Sequence, residues 1–507
     1  MTAGDPLLDS HEKKRKLDRH FAGGLAWTAG AKWATQLLSW VSLVMLARLL
    51  SPSDFGIGDM AGIYFVLANM LAEFGVGTAV LHMPELSTRA LGQLHSFSCL
   101  LCTAIFGISV LGAPLLADFF HVPHLRNLII ANNLGFFITG FQAVPLGLLQ
   151  RDMDYRKLSL AEGMQSVTQA VLTVIAAWFG LGYWSLMIGN QSGKIVNTVM
   201  VSRWKPVTFV MPNWQEIRGA VELGRQIAIS RLAWSAYTYA DGVTVGRVLG
   251  DVVLGNYRMA MNLASAPAEK ISTLLMRTAG PLFANVQSDL VLVRRYFLIF
   301  TEALSLAVMP LMTGLVMVAP VAIPLLLGAQ WVNVVVPLQW LCAFMILRTL
   351  GVLMDQVLIS QRATKFTMRM SLLNFVVMPV AFYLSAKAYG TAGVAASWIL
   401  LAPLTIFPSQ VVMLRRVQIP FRTFFATLWP ALSSCAAMAL GLYGIQLWLA
   451  GRAWPAPVNL AIEVLAGGAI YALLLGTLFR RKLLRYIDFF RELRSRKATS
   501  SAAAALT

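Results

Sequence analysis

Arg48-Leu-Leu-Ser-Pro-Ser-Asp-Phe-Gly56 recurs in outline as Arg247-Val-Leu-Gly-Asp-Val-Val-Leu-Gly255, 199 residues further along the chain. In both copies the Gly follows the Arg by eight residues, and each copy joins the end of one apolar segment to the start of the next. A weaker echo relates Gly180-Leu-Gly-Tyr-Trp-Ser185 to Gly390-Thr-Ala-Gly-Val-Ala395. Equal spacing at equivalent places argues for an internal repeat. Six apolar segments fall in each copy. An even number of crossings returns the chain to the side on which it began. The halves are therefore parallel repeats, expected to be related by a two-fold axis along the membrane normal.

Composition says what these segments cross. The chain is 57% hydrophobic and only 13% charged, about half the charged share of a soluble domain. Its apolar residues fall in long runs, such as Thr168 to Phe179 and Phe375 to Leu384, set within stretches long enough to span a bilayer. The sequence predicts an all-α membrane protein of about 14 transmembrane helices. Six spans lie near 22–47, 56–81, 92–117, 126–149, 158–179 and 183–202. Six more lie near 220–246, 253–283, 297–326, 334–360, 370–386 and 392–413, and two follow at 424–449 and 458–479. The expected organisation is a basic tail (1–21), a six-helix lobe (22–202), a linker (203–219), a second six-helix lobe (220–414), two additional helices (415–480) and a second basic tail (481–507). The apolar stretch after residue 21 exceeds a signal-peptide core and is expected to stay as the first span.

The net charge of +18 does not point to nucleic acid. With the N-terminus cytoplasmic, 28 Lys and Arg fall in cytoplasmic segments and 5 on the opposite side. That bias is what the positive-inside rule requires, and basic loops also suit anionic lipid headgroups. Both termini are expected in the cytoplasm. Cys99, Cys102, Cys342 and Cys435 all lie in apolar segments. They are expected to behave as small buried apolar residues.

Eight basic residues remain inside the spans: Lys32, Lys194, Arg225, Arg231, Arg258, Lys270, Arg277 and Arg348. A charge at the bilayer centre costs at least about 2.5 kcal/mol, so it persists where it meets water, a partner or a substrate. Five of the eight lie on the seventh and eighth spans, which predicts an electropositive cavity. Arg forks phosphate oxygens and Lys supplies a point charge. Lys32, Arg231, Arg258, Lys270, Arg277 and Arg348 are therefore candidates for an anionic headgroup. Arg225, Arg277 and Lys194 can instead snorkel toward an interface. Among the intramembrane acids, Glu73 and Asp241 are candidates for gating or for coupling to Na⁺ or H⁺. Asp355 is expected to pair with Arg348, seven residues away, and Glu269 to find a structural partner elsewhere.

Enzyme signatures are missing from the sequence. It has no Gly-x4-Gly-Lys-[Ser/Thr] phosphate loop, no Gly-x-Ser-x-Gly, no His-Glu-x-x-His and no paired Cys-x-x-Cys. No cofactor is expected, and ATP is not expected to drive the protein directly. His121-Val-Pro-His124 reads as a solvated turn. The loops between the expected spans are short. A membrane polysaccharide polymerase, which needs a sizeable catalytic loop, is therefore disfavoured. A MATE-like antiporter of organic cations would want an acidic or aromatic cavity, against the basic excess here.

Several stretches together resemble one family. They are Ala47-Arg-Leu-Leu-Ser-Pro-Ser-Asp-Phe-Gly56, Glu73-Phe-Gly-Val-Gly-Thr-Ala-Val80, Val144-Pro-Leu-Gly-Leu-Leu-Gln-Arg151, Gly180-Leu-Gly-Tyr-Trp-Ser-Leu186 and Leu325-Leu-Leu-Gly-Ala-Gln-Trp331. Their order and spacing look like the Wzx-type polysaccharide-transport flippases, and among these the colanic-acid exporters. Those proteins sit in the MOP superfamily with MATE exporters and the lipid II flippase. The likeness runs from about residue 20 to residue 415. It implies a V-shaped pair of six-helix bundles around a cationic cavity in the bacterial inner membrane. It also implies undecaprenyl-diphosphate-linked oligosaccharide as cargo, membrane lipids as surroundings, and a polymerase or export machinery as partner. The cavity residues named above rest on predicted depth, not on a matched motif.

Overall fold

The computed structural model describes residues 38–73, 76–82, 86–361, 363–452 and 454–479. Both expected basic tails, most of the first expected span and Lys32 lie outside the described residues. Among the described residues the regular structure is helical, with no strand. Hydrocarbon offers the backbone no hydrogen-bond partner, so each crossing segment satisfies its own N–H and C=O groups as a helix. The chain divides into two compact units, Met1–Gly255 and Asn256–Thr507.

Among the described residues, the first helix of the first unit is α1 (Leu38–Leu49). The unit continues through α2 (Pro52–Glu73), α3 (Val76–His82), α4 (Thr88–Phe120), α5 (Leu125–Asn133), α6 (Gly135–Arg151), α7 (Tyr155–Trp178), α8 (Trp184–Trp204), α9 (Trp214–Thr238) and α10 (Ala240–Leu249). Two expected spans are broken. The fourth is split at Leu134 between α5 and α6, and the seventh at Tyr239 between α9 and α10. One core cluster gathers Val76, Ala79 and Val80 of α3, Leu91 and Leu94 of α4, Val144 and Leu148 of α6, and Ile217, Ala220 and Val221 of α9. A second joins α2, α4 and α6 through Phe65, Cys102 and Phe136, with the Phe65 and Phe136 rings stacked at 5.0 Å. The expected linker runs along α4: the Val210 N–H donates to Ser96 Oγ at 3.1 Å. Because α9 and α10 pack on α2 and α4, the compact unit extends past this linker to Gly255.

α11 (Asp251–Asn285) starts at the end of the first unit. Its first turn meets α2 in a reciprocal way. A Cβ on Gly56 would lie 1.9 Å from the Asp251 carbonyl oxygen, and a Cβ on Gly255 would lie 1.8 Å from that of Pro52. Each helix thus presents a glycine to the other's first turn, where a side chain would collide with backbone. Ser53 Oγ also donates to the Asp251 carboxylate.

The second unit continues with α12 (Leu290–Leu326), a 3₁₀ turn (Ala329–Val334), α13 (Val335–Ser360), α14 (Thr364–Leu400), α15 (Ala402–Thr405), α16 (Phe407–Arg416), α17 (Phe421–Ala450) and α18 (Ala456–Leu478). α14 is two helices meeting at Gly390, whose φ of 60° and ψ of −145° leave the helical region. Gly180, its counterpart in the sequence echo, also has positive φ, at 76°. Trp398 anchors the core of this unit: its ring stacks on Phe344 at 4.6 Å, and its indole N–H donates to the Tyr257 hydroxyl at 3.3 Å.

α12 carries Pro310, Pro320 and Pro324. A helical proline lacks the N–H that would bond the carbonyl four residues earlier. Pro310 and Pro320 therefore free the carbonyls of Leu306 and Val316. Tyr471 of α18 donates its hydroxyl to Leu306 O at 2.8 Å, and Gln339 of α13 donates to Val316 O at 3.2 Å. The neighbouring helices supply what proline removes, as membrane helices require.

Eight of the described helical stretches are long and apolar enough to cross a membrane. The chain is thus a multi-pass membrane protein. Fourteen spans are expected from sequence. Most of the first span is not described. α7, α8, α9 and α11 have spanning length, with 24, 21, 25 and 35 residues, but their polar side chains lower their apolarity. One of the eight stretches, Phe366–Arg416, has 51 residues. A straight helix of that length would run about 77 Å, against a hydrocarbon core of about 30 Å, and the chain turns within it at Gly390.

Candidate functional site

Three candidate cations with described side chains lie on α11 and α13. Arg258 is half-buried on α11, and Lys270 is exposed on the same helix. Arg348 projects from α13 and pairs with Glu269 of α11, Nη2 to Oε1 at 3.3 Å. Its Nη1 lies 3.9 Å from Met345 Sδ. Sequence spacing points to Asp355 as the partner of Arg348, and the structure supplies Glu269 instead. Spacing along one helix places Asp355 and Arg348 on a common face, but a residue on the facing helix reaches the guanidinium. Arg231 lies on α9 and Arg277 on α11. The side chains of Arg231, Arg277 and Glu73 fall outside the described set.

Asp241 sits in the first turn of α10, immediately after the break in the seventh expected span, and it is fully buried. Its Oδ1 accepts the Gly242 N–H at 2.6 Å.

A polar network absent from the sequence-based candidates runs through the first unit at the α5–α6 break. Gln191 donates to both the backbone and side-chain oxygens of Asn132, at 2.7 and 2.8 Å. Thr139 donates to Asn69 at 2.8 Å, and Gln142 to Asn197 at 2.6 Å. The Lys194 ammonium lies over the Phe65 ring, 3.9 Å from its centroid, so Lys194 is held by an aromatic face of its own unit. The signal that could have found this network is Asn132-Asn133-Leu-Gly135, two amides before a glycine inside an apolar run.

Several other polar side chains have partners of their own. Arg225 pairs with Glu222 at 2.6 Å. His121-Val-Pro-His124 forms an exposed turn, as expected; His121 closes α4 in the left-handed conformation, and the Arg247 guanidinium contacts its ring and lies over Phe119. Asp154 caps α7, accepting the Lys157 N–H at 3.2 Å. The Lys157 side chain, 2.8 Å away, holds the Asp154 carboxyl below its ordinary value. Cys102, Cys342 and Cys435 are buried and unbridged.

The family model described as polysaccharide biosynthesis protein matches residues 45–336. The chain belongs to this family. Membership agrees with the likeness to Wzx-type proteins drawn from the motifs. A relative is the lipopolysaccharide biosynthesis protein WzxC of Escherichia coli K12, 24% identical over 423 residues, which cover 79% of this chain and 84% of that protein. Among solved structures, the lipid II flippase MurJ in an inward closed conformation matches with a TM-score of 0.71 at 14% identity, over 90% of this chain and all of MurJ. An inward-facing MATE multidrug transporter of the MOP superfamily matches with a TM-score of 0.56 at 14% identity, over 76% of this chain and 95% of that one. The family member described here thus has the fold shared by MurJ and MATE transporters.

Proposed function

We propose that the chain is a flippase, not an enzyme. It moves undecaprenyl-diphosphate-linked oligosaccharide units across the bacterial inner membrane by alternating access, for exopolysaccharide, capsule or O-antigen synthesis. The observation that carries this reading is the set of cations on intramembrane helices α11 and α13, in a chain of the polysaccharide biosynthesis family with a MurJ-like fold. Lys32, Arg231, Arg258, Lys270, Arg277 and Arg348 hold the diphosphate, and the lipid tail stays in the bilayer. The expected lobes 22–202 and 220–414 rock against each other around this site. The reciprocal approach of Gly56 to Asp251 and of Gly255 to Pro52 supports the parallel repeat, because the 199-residue offset maps each contact onto the other.

Both termini face the cytoplasm, and surrounding lipids contact the basic loops. A Na⁺ or H⁺ gradient, or the membrane potential, drives the cycle through Glu73 and Asp241. A polymerase or export machinery receives the product. The MATE-like fold also accommodates an organic-cation antiporter, but the Arg and Lys assigned to the site repel such cargo. Lys270→Ala and Arg231→Ala should each cut export of glycan about tenfold or more while the protein still inserts, as expected where a charge-assisted hydrogen bond to cargo is lost. Surface glycan per cell, normalised to membrane-embedded protein, measures this. Wild-type export in both single variants and in the double variant would overturn the assignment.

A further inference from the structure

A guanidinium suited to an anionic headgroup already has an anion beside it. Glu269 Oε1 lies 3.3 Å from Arg348 Nη2, and the two side chains remain 57% and 34% exposed. The pair is therefore formed but not sealed, and a second anion can reach it. An isolated guanidinium within the bilayer is costly, and a carboxylate at this distance offsets that cost. One carboxylate is a weak competitor, however. It brings a single negative charge, whereas a diphosphate brings two and can engage the guanidinium fork with two oxygens. Lys270 follows Glu269 on α11 and is exposed, a second cation one position along the same helix.

We propose that Glu269 is the built-in counter-anion of Arg348. It neutralises the guanidinium while the site is empty, yields it to the cargo's diphosphate, and reclaims it as the cargo leaves. This rests on the flippase reading above. It gives that reading a release step, because a transporter must bind its cargo well enough to capture it and weakly enough to let it go. Glu269 is then a positioning residue that sets affinity through Arg348 and never touches the cargo itself.

The test uses the full-length protein in lipid nanodiscs with farnesyl diphosphate as the probe. Binding is followed by calorimetry against empty nanodiscs. Glu269→Gln should bind about tenfold more tightly than wild type, equivalent to about 1.4 kcal/mol. Arg348→Gln should bind more weakly, and adding Glu269→Gln to it should change nothing further. In cells, Glu269→Gln should export glycan more slowly despite its tighter binding, a combination that a merely structural role would not produce. Glu269→Asp keeps the charge at shorter reach and gives a smaller shift in the same direction, with melting temperature recorded for every variant. Unchanged or weaker binding by Glu269→Gln, or an equal gain in the Arg348→Gln background, overturns the counter-anion role alone. Failure of the wild type to bind farnesyl diphosphate overturns the flippase reading and this inference with it.

Discussion

The Glu269–Arg348 pair and the Asp154 cap show how differently two acids of one chain are used. Glu269 faces a cation on another helix across an accessible gap. Asp154 closes its own helix start, with Lys157 one turn along. The Lys157 side chain holds the Asp154 carboxyl below its ordinary value of 3.8. A depressed folded-state value means that the ionised form stabilises the fold. That contribution is present above the ordinary value and is lost as pH falls through the lowered one. Asp154→Ala should cost about 1 kcal/mol at neutral pH, the typical worth of a helix N-cap. Thermal melting in detergent measures it, and the gap between variant and wild type should close in acid below the ordinary value. A gap that persists there would show that packing, not charge, is responsible. The types of the site residues were legible in the sequence, because charges in apolar runs are conspicuous. Their pairing was not. Spacing along one helix selects Asp355 for Arg348, and only the facing helix brings Glu269.

At the scale of elements, hydrophobic length alone located the helices, and the interruptions needed more. The breaks at Leu134 and Tyr239 and the turn at Gly390 fall where polar or glycine residues enter apolar runs. The sequence marks such places without saying whether the chain bends, breaks or continues. The prolines of α12 are the sharpest case. Pro310 announces a freed carbonyl at Leu306, but only packing shows that Tyr471 of α18 answers it. Tyr471→Phe should therefore destabilise the protein by about 1 kcal/mol, the net worth of one hydrogen bond. In a Pro310→Ala background the restored N–H bonds Leu306 O itself, and the same Tyr471→Phe change should cost much less. Equal costs in the two backgrounds, measured by thermal unfolding in detergent, would show that the hydroxyl acts elsewhere.

For the whole molecule, the expected orientation puts the loop at Arg126 outside and the linker at Arg203 inside. In a variant lacking Cys99, Cys102, Cys342 and Cys435, Arg126→Cys should react with a membrane-impermeant maleimide in intact cells. Arg203→Cys should react only after permeabilisation, and the opposite pattern would invert the topology. By itself the sequence determined that the chain is a helical multi-pass membrane protein, that a motif recurs in it, and which charges interrupt its apolar runs. Hydrophobic length, spacing and charge bias are one-dimensional properties, so a linear chain displays them in full. Only the tertiary structure decided that Glu269 answers Arg348, that Tyr471 and Gln339 repair α12, and that Gly56 and Gly255 each admit the other helix's backbone. Those contacts join residues on different helices. Their partners are selected by packing geometry at distances of a few ångströms, which no local pattern encodes.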